Sequence, residues 1–373
     1  MAPLPHGRPP FRADHIGSLL RPQPLRQAFR RHAAGEIGDA EFAAVQDRCI
    51  SDVVALQEQV GLQVATDGEF RRGSYWGRFV ERTAGFEIRP AAFKFRNDQG
   101  QEVEFTAPYA GAKIARRQPL ALDEFDFLHR ATKVAGKITL PAPSTMHFYR
   151  PTDYADHAVY PDAGGFFADL VAIFKQEIAE LARAGCRYIQ LDEVAVALLC
   201  DPDIRAQVKR AGSDPDALVG LYIDAINQAV AACPPDAVVG VHMCRGNFKG
   251  RYLAAGGYEQ VAERFFAETK VNHFLLEYDT PRAGDFAPLR FVPKGKGVVL
   301  GLVSSKTPVL EDVDLLKRRI EEASRSIDLD RLALSPQCGF ASTAAGNPLT
   351  ETDERAKLRL VVETANEVWG NRP

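Results

Sequence analysis

The chain has 373 residues, 46% hydrophobic and 25% charged, with a formal net charge of −3. That balance is the one expected of a globular protein large enough for a sizeable core. Acids and bases are interleaved, which excludes a basic footprint for nucleic acid, and no apolar run approaches the ~20 residues of a membrane helix.

The opening "MAPLPHGRPPFRADH" carries no apolar signal core, so a cytoplasmic protein is expected. "FRADHIGSLLRP" (11–22) reads as a short strand or turn ending in Ser18. An amphipathic helix over 39–60 leads to a strand in "LQVATDGEF" (62–70). Residues 83–130, with charged, alternating pieces such as "QEVEFTAPY", have no barrel period and read as an insertion over the mouth. Strands follow in "GKITLPAPS" (136–144), "CRYIQLDEV" (186–194), "AVVGVHMC" (237–244), "NHFLLEYD" (272–279), "GVVLGLVSSK" (297–306) and "RLALSPQCGF" (331–340). Helices are predicted over 166–185, 201–232, 258–268, 313–327 and 354–370. Eight apolar strands alternating with helices predict an α/β fold, a (β/α)₈ TIM barrel with an insertion after strand 2, in one domain over 1–373. A doubly wound open sheet is the competing fold, but no Gly-rich phosphate loop opens any of these helices.

In such barrels the chemistry sits at the C-terminal strand ends. Those ends carry Ser18, Asp67 and Glu69, Asp192 and Glu193, His242 and Cys244, Glu277 and Asp279, Ser304 to Lys306, and Cys338. His242 and Cys244 are two apart, so in a strand they project from one face. With Glu277 and Cys338 they make a candidate zinc set. Zinc with two thiolates and a carboxylate is electron-rich: a poor activator of water, but suited to holding another thiol as thiolate. The chemistry indicated is S-alkylation of a small thiol, with the carboxylate the ligand most easily displaced. Cys49, Cys186, Cys200 and Cys233 lie off this rim and read as inert small hydrophobes, and the absence of any CxxC favours reduced thiols. Glu193 and Asp279 read as caps or salt-bridge partners.

"VHMC", "LLEYD" and "SPQCGF" together resemble the zinc ligands of the cobalamin-independent methionine synthases. "HIGS" resembles that family's motif for the homocysteine carboxylate, and "TDGE" and "QLDE" its segments for the amino group. The resemblance spans most of the chain, at the length of the family's catalytic barrel alone. It implies Zn²⁺ on His242, Cys244, Glu277 and Cys338, a homocysteine-like thiol on Ser18, Glu69 and Asp192, and a methyl or alkyl donor. Two departures concern the donor. "GLVSSKTP" has no histidine where the family moves a proton, which leaves Lys306 and His147 as candidate acids beside Glu277. "PAPSTMHFY" has no stacking tryptophan; the chain has only Trp76 and Trp369, and Trp76 is expected at the mouth with Arg71 and Arg72.

The leading expectation is a zinc-dependent methyltransferase acting on homocysteine. Its alternative is an epoxyalkane:coenzyme M transferase-like opening of an epoxide, disfavoured because Glu69 and Asp192 suit an ammonium and coenzyme M has none. A metal-free uroporphyrinogen decarboxylase-like barrel would leave His242, Cys244 and Cys338 without a purpose. A non-catalytic, zinc-stabilised binding protein is the remaining reading.

Overall fold

In the computed structural model, which describes residues 4–370, the core is one parallel sheet of seven strands. In spatial order these are β1 (Val64–Ala65), β6 (Ala135–Pro141), β7 (Tyr188–Asp192), β8 (Val238–Met243), β9 (His273–Glu277), β10 (Gly297–Val303) and β11 (Leu332–Pro336). The order follows the chain, so each strand of the sheet pairs with the next one in sequence. Strands β6 to β11 are buried along their length except at Gly136, so each reads as a continuous apolar run and not an alternating one. Parallel register sets Asp192 beside His242 and Glu277 beside Gly301, which levels the functional strand ends.

The segment expected as the first strand is not a ladder strand. Asp14 N–H donates to Leu334 O and Leu334 N–H to Arg12 O, both at 2.9 Å, and beyond this single bridge the chain turns. Gly17, at φ +123°, makes that turn, a conformation that a side chain resists. On the other side Leu19 N–H donates to Gly68 O at 3.1 Å and Thr66 Oγ1 to Gly17 O at 2.7 Å. Residues 12–19 thus bridge β11 and β1 largely without strand geometry. The second expected strand is also short: only Val64 and Ala65 are extended before the Thr66–Phe70 turn.

Helices cover the outside of the sheet. Those at Ala163–Arg183, Pro202–Arg210, Pro215–Val230 and Val313–Ser324 each start on an aspartate (Asp162, Asp201, Asp214, Asp312) whose carboxylate accepts a first-turn N–H. The stretch 201–232 is two helices, because Pro215 is placed to begin a new one. Sequence periodicity missed the helix Gln23–Ala33. Within 83–130, β2 (Thr83–Pro90) pairs antiparallel with β5 (Thr106–Arg116), enclosing the small pair β3 (Phe95–Arg96) and β4 (Glu102–Val103). Residues Leu122–Ala131 are a helix instead, its Phe125 and Leu128 seated over Gly136 of β6.

The sheet interior is polar at one level. Lys137 Nζ bonds Asp14 Oδ1 at 2.7 Å and Gln190 Oε1 at 3.1 Å, and also reaches the His15 carbonyl. Tyr188 Oη donates to Asp14 Oδ2 at 2.6 Å and meets His273 Nε2 at 2.8 Å. Lys137, Asp14, Tyr188 and His273 are all fully buried. Removing one partner of such a pair leaves an uncompensated charge, so Lys137→Met is expected to destabilise the protein by ~3–5 kcal/mol in urea unfolding. Adding Asp14→Asn should recover part of that loss; a single-variant loss below ~1 kcal/mol would show that the pair does not hold the segment.

Candidate metal centre

His242 stands in the last turn of ladder on β8, Cys244 follows the end of that strand, and Cys338 lies just beyond β11. Among the described residues their ligating atoms form the one cluster of metal-capable side chains, all within 4.8 Å of one another and all buried. The two Sγ atoms are 3.7 Å apart. His242 Nδ1 lies 3.2 Å from the Leu275 carbonyl, which can only accept, so Nδ1 carries the hydrogen. That leaves Nε2 as a lone-pair donor, buried and without a hydrogen-bond partner. A borderline nitrogen and two sulfurs, with the imidazole oriented from behind by a carbonyl, fit a tetrahedral thiophilic metal. The charge state suits it as well. The hydrogen bond from Cys244, with His242 beside it, outweighs burial and draws the Cys338 thiol well below its ordinary pKa. Cys244 is pushed well above, first by Cys338 and then by burial.

Glu277 is near this cluster but not within it. Its Oε2 accepts the Arg245 backbone N–H at 2.5 Å, and its Oε1 faces Lys306 Nζ at 3.4 Å and Arg282 at 3.7 Å. Burial alone would neutralise the carboxyl, but Lys306 and Arg245 hold its pKa below the usual value. Lys306 is correspondingly committed to this ion pair, its pKa raised by Glu277 and Asp279 against the pull of burial. His147, the other sequence candidate for an acid, is turned away: Nδ1 meets Tyr222 Oη at 2.9 Å, and burial pulls its pKa to about 3.

Ser18, Glu69 and Asp192 line one small cavity together with His242, Cys244 and Cys338. Ser18 sits against Gly339, where an added Cβ would lie 1.9 Å from its Oγ, so only glycine permits the approach. Glu69 has φ +60°, a left-handed conformation rare outside glycine. It is held there by Arg21 donating to its carbonyl (2.9 Å) and by Asp67 accepting its N–H (2.9 Å). Thr139 donates to its Oε1 at 2.7 Å, while Oε2 is buried with no partner. Asp192 accepts from Gln190 at 2.7 Å, and burial pushes its pKa up to about 7. The two buried carboxylates face a common space, the setting an ammonium would stabilise.

The other predicted residues separate cleanly. Glu193 accepts from Ser144 (2.6 Å) and from Val196 N–H (2.9 Å), tying down a short helix. Burial pushes the thiols of Cys186, Cys200 and Cys233 up to about 12, 11 and 11, and Cys49 is also raised. Arg71 and Arg72 do not accompany Trp76 at the mouth: Arg71 pairs with Asp47, and Arg72 with Glu124 at 2.6 Å. Asn247, Tyr75 and Tyr149 border the cavity and were not singled out from sequence. Asn247 is three residues past Cys244, so the strand-end rule reaches it; Tyr75 comes from a loop with no such signal.

A parallel α/β sheet whose strand ends gather a His/Cys/Cys group and two facing carboxylates has the layout of an enzyme site. The catalytic-domain model of the cobalamin-independent synthases matches residues 11–367, and the chain belongs to that family. It is 40% identical over 366 residues to the uncharacterized protein YxjH of Bacillus subtilis (strain 168), covering 96% of this chain and 95% of that one. A methionine synthase of Pyrococcus abyssi (strain GE5 / Orsay) is 28% identical over 329 residues, covering 87% and 85%. Among solved structures, a Listeria monocytogenes chain described as a candidate vitamin-B12-independent methionine synthase superposes with a TM-score of 0.75 at 32% identity, covering 97% of this chain and 98% of that one. No helix among the described residues is long and apolar enough to cross a membrane.

Cys338→Ser removes one of three clustered donors with a near-isosteric change at one edge of a large core. Elemental analysis is expected to find about one metal ion per wild-type chain and little in the variant, with circular dichroism unchanged. Equal metal content in both would exclude Cys338 as a ligand.

Proposed function

We propose that this protein is a zinc-dependent S-methyltransferase that methylates homocysteine, built as a single barrel domain over 1–373. In this reading residues 12–19 fill the eighth barrel position, and 83–130 follow the second position as an insertion over the mouth. His242, Cys244 and Cys338 hold the zinc, and Glu277, kept ionised by its cationic neighbours, stands as the fourth donor. Zinc, when bound, lowers the pKa of a thiol enough to keep it as thiolate at neutral pH. Ser18 orients the amino acid's carboxylate, and Glu69 with Asp192 takes its ammonium. Lys306 positions Glu277. Six free cysteines, none bridged, support a reducing compartment such as the cytoplasm.

The observation that carries this reading is the joint lining of one cavity by the His/Cys/Cys group and by two carboxylates placed for an ammonium. The same carboxylates disfavour the epoxide-opening alternative, since they would repel the sulfonate of coenzyme M. Family membership and the name of the Pyrococcus abyssi relative support methyl transfer to homocysteine. Calorimetry on zinc-loaded protein tests it. Homocysteine is expected to bind more tightly than coenzyme M, and Asp192→Asn to weaken homocysteine by ~1.5–3 kcal/mol, the range of a charge-assisted hydrogen bond. Equal affinity of wild type and variant would count against the assignment of Asp192.

A further inference from the structure

Beside the thiol cavity lies a larger one of about 560 Å³, within the range of small-molecule sites. Tyr75, Tyr149 and Asn247 border both, so the two spaces adjoin at the point where sulfur would meet a donor. The walls of the larger cavity are aromatic: Tyr75, Trp76, Phe95, Phe105, Tyr149 and Phe248. Among the described residues no lysine, arginine or histidine lines it. The nearby arginines are occupied elsewhere, Arg72 by Glu124 at 2.6 Å and Arg78 by Glu124 at 3.2 Å. Its charged lining residues are Glu81 and Glu104. Glu81 has no ion-pair partner among the described residues, and Glu104 shares Lys94 with Glu102, at 3.5 and 3.6 Å. At the junction Asn247 Nδ2 is fixed on Gly339 O at 2.8 Å, and its Oδ1 is buried with no partner. Lys249, 5.3 Å from the Phe248 ring, shows a cation resting against one of these rings without lining the cavity.

Aromatic faces, carboxylates at the rim and a bare carbonyl oxygen attract a cation and repel a polyanion. A methylated amine would in addition need an acid to protonate the departing nitrogen. Neither Lys306 nor His147 borders this space, and the Tyr75 and Tyr149 hydroxyls bond each other at 3.0 Å. We propose that this cavity binds a methylsulfonium cation, which serves as the methyl donor; the proposal rests on the thiol chemistry above. The thiolate sulfur attacks the methyl carbon and forms a C–S bond. The opposite C–S⁺ bond breaks with its electron pair passing to the leaving sulfur, which departs as a neutral thioether. The only proton released is the one the thiol lost beforehand. No acid is required.

Two measurements on the zinc-loaded protein test this. Trimethylsulfonium chloride should quench Trp76 fluorescence saturably, over a constant background from Trp369. Trp76→Phe should abolish that response, Glu81→Gln should weaken binding about two- to fivefold, as for an exposed ion pair, and uncharged dimethyl sulfide should not compete. In turnover with homocysteine, S-methylmethionine carrying a deuterated methyl should yield labelled methionine faster than methyltetrahydropteroyltriglutamate. Glu81→Gln should raise KM for the sulfonium and spare kcat. Faster turnover of the folate, no quenching by trimethylsulfonium, or no effect of Glu81→Gln would overturn the sulfonium assignment while leaving the thiol reading intact. Failure to bind zinc or homocysteine at all would overturn both.

Discussion

The buried ion pair between Lys137 and Asp14 decides where the N-terminal segment lies, and with it much of the site. Residues 12–19 make few backbone bonds to their neighbours, too few to define register by themselves. Lys137 supplies the missing constraint from the sheet interior, with Tyr188 and His273 completing the hydrogen bonds. A slip of one residue would turn Asp14 outward and leave an ammonium stranded in the core, a cost far above that of a few backbone contacts. The locked segment delivers Ser18 to Gly339 and Leu20 N–H to Glu354 of the final helix, at 2.7 Å. One polar interaction thereby ties the first segment to the sheet, the rim and the last helix.

The rim above that layer separates its charges. Glu277 is surrounded by Lys306, Arg282 and the Arg245 N–H and remains ionised. Glu69 and Asp192, lining the same cavity as the His/Cys/Cys group, have less positive charge about them: Glu69 Oε1 faces Arg72 at 3.5 Å, an arginine committed to Glu124 at 2.6 Å, and Asp192 accepts from the neutral Gln190, which suits the pair to a cationic head group. Glu69 carries a cost in its left-handed backbone, held by Arg21 and Asp67. Strain and a buried carboxylate oxygen without a hydrogen-bond partner coincide at one residue, as they do where a structure serves binding before stability.

Much of the centre was legible because its residue types are chemically unusual where they occur. Histidine and cysteine two apart at the end of an apolar run stand out, and the barrel rule states which ends of the other strands to inspect. Less legible were elements that local patterning does not encode. The first two strands proved shorter than their apolar runs, since Gly17, Gly68 and Glu69 turn the chain early through tertiary hydrogen bonds. The helix Leu122–Ala131 was absorbed into the expected insertion because its neighbours are ribbon.

By itself the sequence determined the alternation of apolar strands with helices, the metal-capable residue types at His242, Cys244 and Cys338, and the carboxylates Glu69 and Asp192, since each depends on residue identity and on periods of two or 3.6. Only the tertiary structure decided that Glu277 turns toward Lys306, that His147 faces Tyr222, and that Trp76 joins aromatic residues from distant loops around one cavity. Those outcomes depend on which charges and rings meet across long sequence separations. No local spacing records such meetings, because packing and electrostatics settle them only once the chain has closed on itself.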